Sequence, residues 1–139
     1  IKVAAEKYGN QCVVLSIDIK RVDGKYCVFS NGGRINTGID AIEWAELGEK
    51  NGAGELVVNS IDTDGVRNGF DLELLKDISK NLSIPVIASG GAGNMEHFKD
   101  VFMLEGVDAG LAASIFHFKE IDIMDLKRYL EKNNIVVRI

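Results

Sequence analysis

Ile84-Pro85-Val86-Ile87-Ala88-Ser89-Gly90-Gly91-Ala92-Gly93-Asn94-Met95-Glu96-His97-Phe98 reads as a strand, a tight turn and the start of a helix. The run from Ile84 to Ala88 is apolar without alternation, as in a strand buried on both faces of a parallel sheet. The glycines make a turn. Asn94 is a helix cap, Met95, Phe98 and Phe102 recur at helical spacing, and Gly106 is the stop.

The same order of signals occurs three more times. Cys12-Val13-Val14-Leu15-Ser16-Ile17 ends at Asp18. Leu56-Val57-Val58 passes into Asn59-Ser60-Ile61-Asp62-Thr63-Asp64-Gly65. Ala109-Gly110-Leu111-Ala112-Ala113 ends at Ser114. Helices follow from Asp40, which with Glu43 resembles a capping box before Ile42, Trp44 and Ala45, and from Asp71, with Leu72, Leu75 and Ile78 on one face. A last helix starts at Asp122, with Ile123, Leu126 and Leu130 inward. The first unit carries an insertion from Lys20 to Phe29, in which Asp23-Gly24 is a hairpin signal, and Asn31-Gly32-Gly33 forms a loop. Cys12 reads as a small buried hydrophobe.

Strand and helix alternating in this way predict an α/β fold of four parallel βα units. A closed (β/α)8 barrel needs eight units and about 250 residues. The expectation is therefore half a barrel, residues 1–139 as one domain, completed by a second half or a second copy. Ile1 to Lys7 read as the last turns of a preceding helix, with residues 1–9 as its tail and Gly9 its stop. There is no initiator Met, as expected of a fragment that starts inside an element.

Composition narrows the function. Sixteen basic against twenty-one acidic residues leave a net charge of -5, which argues against a nucleic-acid groove. No apolar run approaches the roughly 20 residues of a membrane span. Two cysteines outside any paired motif suit a reduced, cytoplasmic setting, and His97 and His117 lack ligand spacing, so no metal is expected; Trp44, Met95 and Phe102 read as core residues on helical faces, not as the lining of a cofactor site.

Ligands of parallel α/β sheets bind at the carboxyl ends of the strands. Those ends here carry Asp18, Asn59, Ser60, Asp62, Asp64, Gly65, Ser89, Gly90, Gly91, Ala113 and Ser114. Glycine lets the backbone N–H groups approach an anion, so Gly90-Gly91, Gly65 and Ala113-Ser114 are phosphate candidates; the plainer alternative is a set of tight turns. Asp18 is either a general acid–base or a carboxylate that holds loop N–H groups. Glu55 opens its strand at the opposite end, and on position alone is a solvated charge.

The stretches Val13-Val14-Leu15-Ser16-Ile17-Asp18-Ile19-Lys20-Arg21-Val22-Asp23-Gly24, Ser60-Ile61-Asp62-Thr63-Asp64-Gly65, Ile87 to Phe98, and Leu111-Ala112-Ala113-Ser114-Ile115-Phe116-His117-Phe118 resemble, in order and spacing, the C-terminal half of the cyclase subunit of imidazole glycerol phosphate synthase. The resemblance implies a lyase-type cyclisation in histidine biosynthesis. Ammonia from a separate glutaminase subunit attacks a phosphoribulosyl-formimino carboxamide ribotide, giving imidazole glycerol phosphate and the aminoimidazole carboxamide ribotide.

It further implies that Asp18 is one of two acid–base aspartates. Asp64 and Gly65, Gly90 and Gly91, and Ala113 and Ser114 form one of two phosphate sites. Glu55 belongs to a charged ring where ammonia enters. Asn59 and Val66 stand where many members have threonine; Asn59 keeps hydrogen-bonding capacity toward substrate and Val66 does not. Three alternatives share these signals: a sister phosphosugar isomerase, a paralogous amidotransferase barrel, and a non-catalytic half-barrel scaffold that binds phosphate. Half a barrel on its own is expected to be inactive and to pair as a homodimer.

Overall fold

The computed structural model describes residues 1–139. Helix α1 (Lys2–Tyr8) ends at Gly9, whose φ of 88° lets its N–H reach the Ala5 carbonyl. A 3-10 turn over Asn10–Cys12 leads into β1 (Val14–Val22). The hairpin β2 (Lys25–Ser30) and β3 (Ile35–Asp40) follow, then α2 (Ala41–Lys50), β4 (Glu55–Ser60), α3 (Leu72–Ser79), β5 (Val86–Ser89), α4 (Met95–Phe102), β6 (Ala109–Leu111), α5 (Ser114–His117) and α6 (Ile123–Lys132). The sheet order is β3-β2-β1-β4-β5-β6; β1, β4, β5 and β6 are parallel, and β2 and β3 antiparallel.

The four expected parallel strands are present, extended by the hairpin. Asp23 and Gly24 both take positive φ, 50° and 78°, as the two-residue turn requires. β3 was not anticipated. Its residues Ile35 to Ile39 are all exposed, so no burial pattern announces it, and its side-chain anchor is Thr37, whose hydroxyl donates to the Val28 carbonyl at 2.7 Å. Cys12 is exposed in the 3-10 turn rather than buried in a strand, because β1 begins two residues later.

Asp40, Asp71, Asn94 and Asp122 each accept N–H groups of the first turn, at 2.8 to 3.2 Å. The Asp40 box is one-sided: Glu43 does not return a bond to the Asp40 N–H. Two inward assignments fail. Leu72 and Ile123 are exposed, and the buried faces are Leu74, Leu75 and Ile78 in α3 and Leu126 and Leu130 in α6. Both exposed residues sit at the first helical position, before the helix has turned its face to the sheet.

The strands are covered on one face only. In β4 the buried positions Leu56, Val58 and Ser60 alternate with half-buried Glu55, Val57 and Asn59. Ile17, Ile19, Leu56, Val58, Val86 and Ala88 pack against Leu74, Leu75, Ile78, Phe98, Val101, Ile115, Leu126 and Leu130 in one core. Phe98 lies at its centre, edge-on to Phe70 at 5.4 Å and 5.8 Å from Phe116. A Cβ on Gly110 would stand 3.1 Å from the Phe98 ring, so a side chain there would press on the ring. The opposite face bears Val14, Ser16, Asp18, Val57, Asn59, Ile87, Ser89 and Leu111, and no helix covers it. The apolar runs thus mark strands meant for burial on both faces, of which this chain covers one.

Candidate functional site

Parallel register brings Asp18, Asn59, Ser89 and Leu111 into one row across the four strands, on the uncovered face. Asn59 Nδ2 donates to Asp18 Oδ1 at 2.9 Å, and the Ser89 hydroxyl donates to Asn59 Oδ1 at 3.1 Å. Both ends of the Asn59 amide are therefore engaged, which fixes its orientation. Asp18 has one oxygen held and Oδ2 without a protein partner, so it can accept or donate a proton to a molecule above the sheet.

Just beyond this row the loops after β4 and β5 lock together. Thr63 Oγ1 donates to the Gly90 carbonyl at 3.1 Å, and the Gly69 N–H donates to the Gly91 carbonyl at 2.9 Å. A Cβ on Gly91 would stand 2.0 Å from the Gly69 carbonyl oxygen, and one on Gly93 2.2 Å from that of Arg67. Glycine is required there by backbone packing between loops. These glycines therefore serve the packing of one loop on another.

The N–H groups tell the rest. Those of Gly65, Gly90, Gly91, Ala92 and Ala113 donate to nothing within the protein. All five residues line one hollow of about 480 Å³ at the carboxyl ends of the strands. Backbone N–H groups without a protein partner can bind an anion with no net positive charge when they face one site together. The same hollow is lined by two carboxylates, Asp18 and Asp64, and one cation, Arg67. A larger hollow of about 650 Å³ lies between Phe102–Met103 and the C-terminal segment Asn134–Arg138; it holds none of these groups.

The family model for "Histidine biosynthesis protein" matches residues 1–122. The chain belongs to that family. Among curated relatives, proteins called imidazole glycerol phosphate synthase subunit HisF match it at 59% identity in Oceanobacillus iheyensis, 58% in Campylobacter concisus and 54% in Clostridium botulinum. These matches cover 97%, 100% and 100% of the chain, but 53%, 55% and 56% of the relatives. The chain thus spans about half the length of the curated relatives it matches.

Within this histidine biosynthesis family member, eight of the nine site residues expected from sequence line the single hollow: Asp18, Asn59, Asp64, Gly65, Gly90, Gly91, Ala113 and Ser114. Glu55 does not. It pairs with Val14 at the start of β4, on the same sheet face, four residues or about 13 Å below Asn59. Ser89, one of the strand-end residues gathered from the sequence, also lines the hollow, whereas sequence reasoning missed Ser16 and Arg67. Ser16 was within reach, since it lies two positions before Asp18 on the same strand face. Arg67 had no signal: it lies in an irregular loop at a left-handed φ of 65°. Val66, beside it, is exposed and outside the hollow.

Proposed function

We propose that this chain supplies the C-terminal half of a cyclase that makes imidazole glycerol phosphate, with one phosphate subsite and one of the two acid–base groups. The observation that carries the reading is the convergence of a half-free carboxylate, Asp18, and five unpaired backbone N–H groups on one hollow. The names of the relatives support the reaction class, and weigh against the sister isomerase.

In this reading the N–H groups of Gly65, Gly90, Gly91 and Ala113 hold one phosphate of the ribotide, helped by the Ser114 hydroxyl. Asp64 orients the loop at the rim. Asn59 holds Asp18 Oδ1, leaving Oδ2 to move a proton as ammonia adds and the ring closes. Ammonia comes from a glutaminase subunit at the Glu55 end and travels along the uncovered sheet face past Val57. The second carboxylate and second phosphate site come from the other half of the barrel, so this half alone gives no turnover. The enzyme works in the cytoplasm; no helix here is long and apolar enough to cross a membrane.

The test is ammonia-dependent turnover of the ribotide by the full-length protein, with inorganic phosphate followed by amide chemical shifts. The reading predicts turnover and, within this half, shifts confined to Gly65, Gly90 to Ala92 and Ala113. Absence of shifts in those loops sinks the phosphate assignment; phosphate binding without turnover leaves the scaffold reading in its place.

A further inference from the structure

Arg67 and Glu120 form an ion pair between the loop after β4 and the segment after α5. The strand order is β4-β5-β6, so this bridge passes over the loop after β5, which carries Gly90 and Gly91. Arg67 lines the hollow as its only cation, beside Asp18 and Asp64. Both ends of the bridge are placed by costly backbone: Arg67 has φ 65° and Lys119, just before Glu120, φ 56°. Non-glycine residues in the left-handed region are uncommon and cluster where a side chain must be aimed. Glu120 is held at that spot by its N–H, which donates to the Ile115 carbonyl at 2.9 Å. Both side chains remain about two-fifths exposed, so the pair is solvated and exchangeable rather than a buried brace.

We propose that Arg67 is the side-chain cation of the phosphate subsite and that Glu120 is its resting partner, displaced by the incoming phosphate. The inference rests on the phosphate reading of the hollow. Two carboxylates already line that hollow, so a dianion bound by neutral N–H groups alone meets uncompensated repulsion. A guanidinium suits a phosphate, with donors that engage two oxygens at once. When free, the same guanidinium beside an empty anion site takes the nearest carboxylate. Glu120 therefore competes with the ligand and lowers its apparent affinity. It also keeps the mouth bridged, so that phosphate entry and loop opening are one event.

The experiment is titration of inorganic phosphate, and of the phosphorylated substrate, into the full-length protein and its Arg67→Met, Arg67→Lys and Glu120→Gln variants, read by calorimetry and amide shifts. A charge-assisted hydrogen bond lost from the complex weakens binding by roughly 10-fold or more, expected for Arg67→Met. Arg67→Lys retains part of the affinity. Glu120→Gln removes the competitor and tightens phosphate binding several-fold. A structural brace predicts the reverse for Glu120→Gln, since loss of either partner would loosen the loops alike. Weakening by Glu120→Gln, or unchanged binding by Arg67→Met, overturns the inference while the phosphate site stands. Absence of phosphate shifts in the unmutated protein removes the site itself. Thermal melts of each variant identify any that fail to fold, and Arg67→Lys with Glu120→Gln then carry the test.

Discussion

At the residue scale, the decisive contact is the amide of Asn59 against Asp18. Substituting Asp18→Asn in the full-length enzyme keeps size and hydrogen-bonding capacity but removes the acid–base function, which typically contributes about 10²–10⁴-fold. Turnover should fall by that factor while phosphate titrations remain unchanged; near-normal turnover would reduce Asp18 to a carboxylate that orders its neighbours. Asn59→Ala leaves Asp18 Oδ1 and the Ser89 hydroxyl without their partner. A hydrogen bond to a charged group contributes about 1.5–3 kcal/mol, so kcat should drop by roughly 10-fold or more. Asn59→Thr keeps a donor at that strand end and should recover much of the loss.

At the scale of elements, the loops after β4 and β5 stand or fall together. Gly91→Ala drives a methyl to 2.0 Å from the Gly69 carbonyl at a φ of 104°, whereas Gly65→Ala meets nothing within 4 Å and carries only the penalty of its φ of 75°. The left-handed backbone alone costs roughly 1–2 kcal/mol. Denaturant melts should therefore show Gly91→Ala clearly more destabilised than Gly65→Ala. The comparison also warns that lost phosphate binding in a Gly91 variant reports packing as well as contact.

The hairpin is tied down separately. Arg21 and Tyr26 are cross-strand partners; Arg21 Nη2 donates to the Tyr26 hydroxyl at 2.8 Å and to Glu73 at 3.0 Å, and its guanidinium lies 4.6 Å from the Tyr26 ring centre. Burial pushes the Tyr26 phenol above its ordinary 10.0, and the Arg21 charge opposes this without cancelling it. The folded state thus binds the phenolic proton more tightly than the unfolded chain does. Its stabilising contribution is complete below the ordinary value and is lost as pH rises through the raised one. Absorbance titration at alkaline pH should show the Tyr26 phenol ionising above its ordinary 10.0, and Arg21→Ala, which removes the opposing charge, should delay it further.

At the scale of the whole molecule, what matters is what the sheet leaves open. β2 pairs with β1 only from Asp18 to Val22, so Val14–Ile17 have no strand on that side, and β3 and β6 are the terminal strands of the sheet. Val14 and Leu111, at either side of the uncovered face, are 51% and 46% exposed. Unpaired edges and apolar faces drive association. The 139-residue chain alone is expected to self-associate, most simply as a two-fold pair that faces its inner surfaces together. Sedimentation at micromolar concentration checks this; a well-folded monomer would overturn it. A chain that also carries the other half of the barrel should sediment as a monomer in the same assay.

Sequence by itself determined the local grammar. Four helix caps, the Asp23-Gly24 turn and the four apolar runs were legible because each depends on neighbours within a few residues. The placing of Asp18, Asn59, Asp64 and the glycines at the carboxyl ends of strands was legible for the same reason, since strand direction alone decides it. Tertiary structure decided the rest. That Asn59 grips Asp18 is a matter of register between strands 41 residues apart in the chain. That Gly91 and Gly93 are obligatory comes from a second loop's carbonyls, which no reading of the glycine tract alone contains. Arg67 and Glu120 are 53 residues apart in irregular segments, where no periodicity aims a side chain. β3 escaped because an exposed edge strand has no burial to write into its pattern. Short-range chemistry is encoded where it acts; convergence from separate loops is settled only when the sheet sets their spacing.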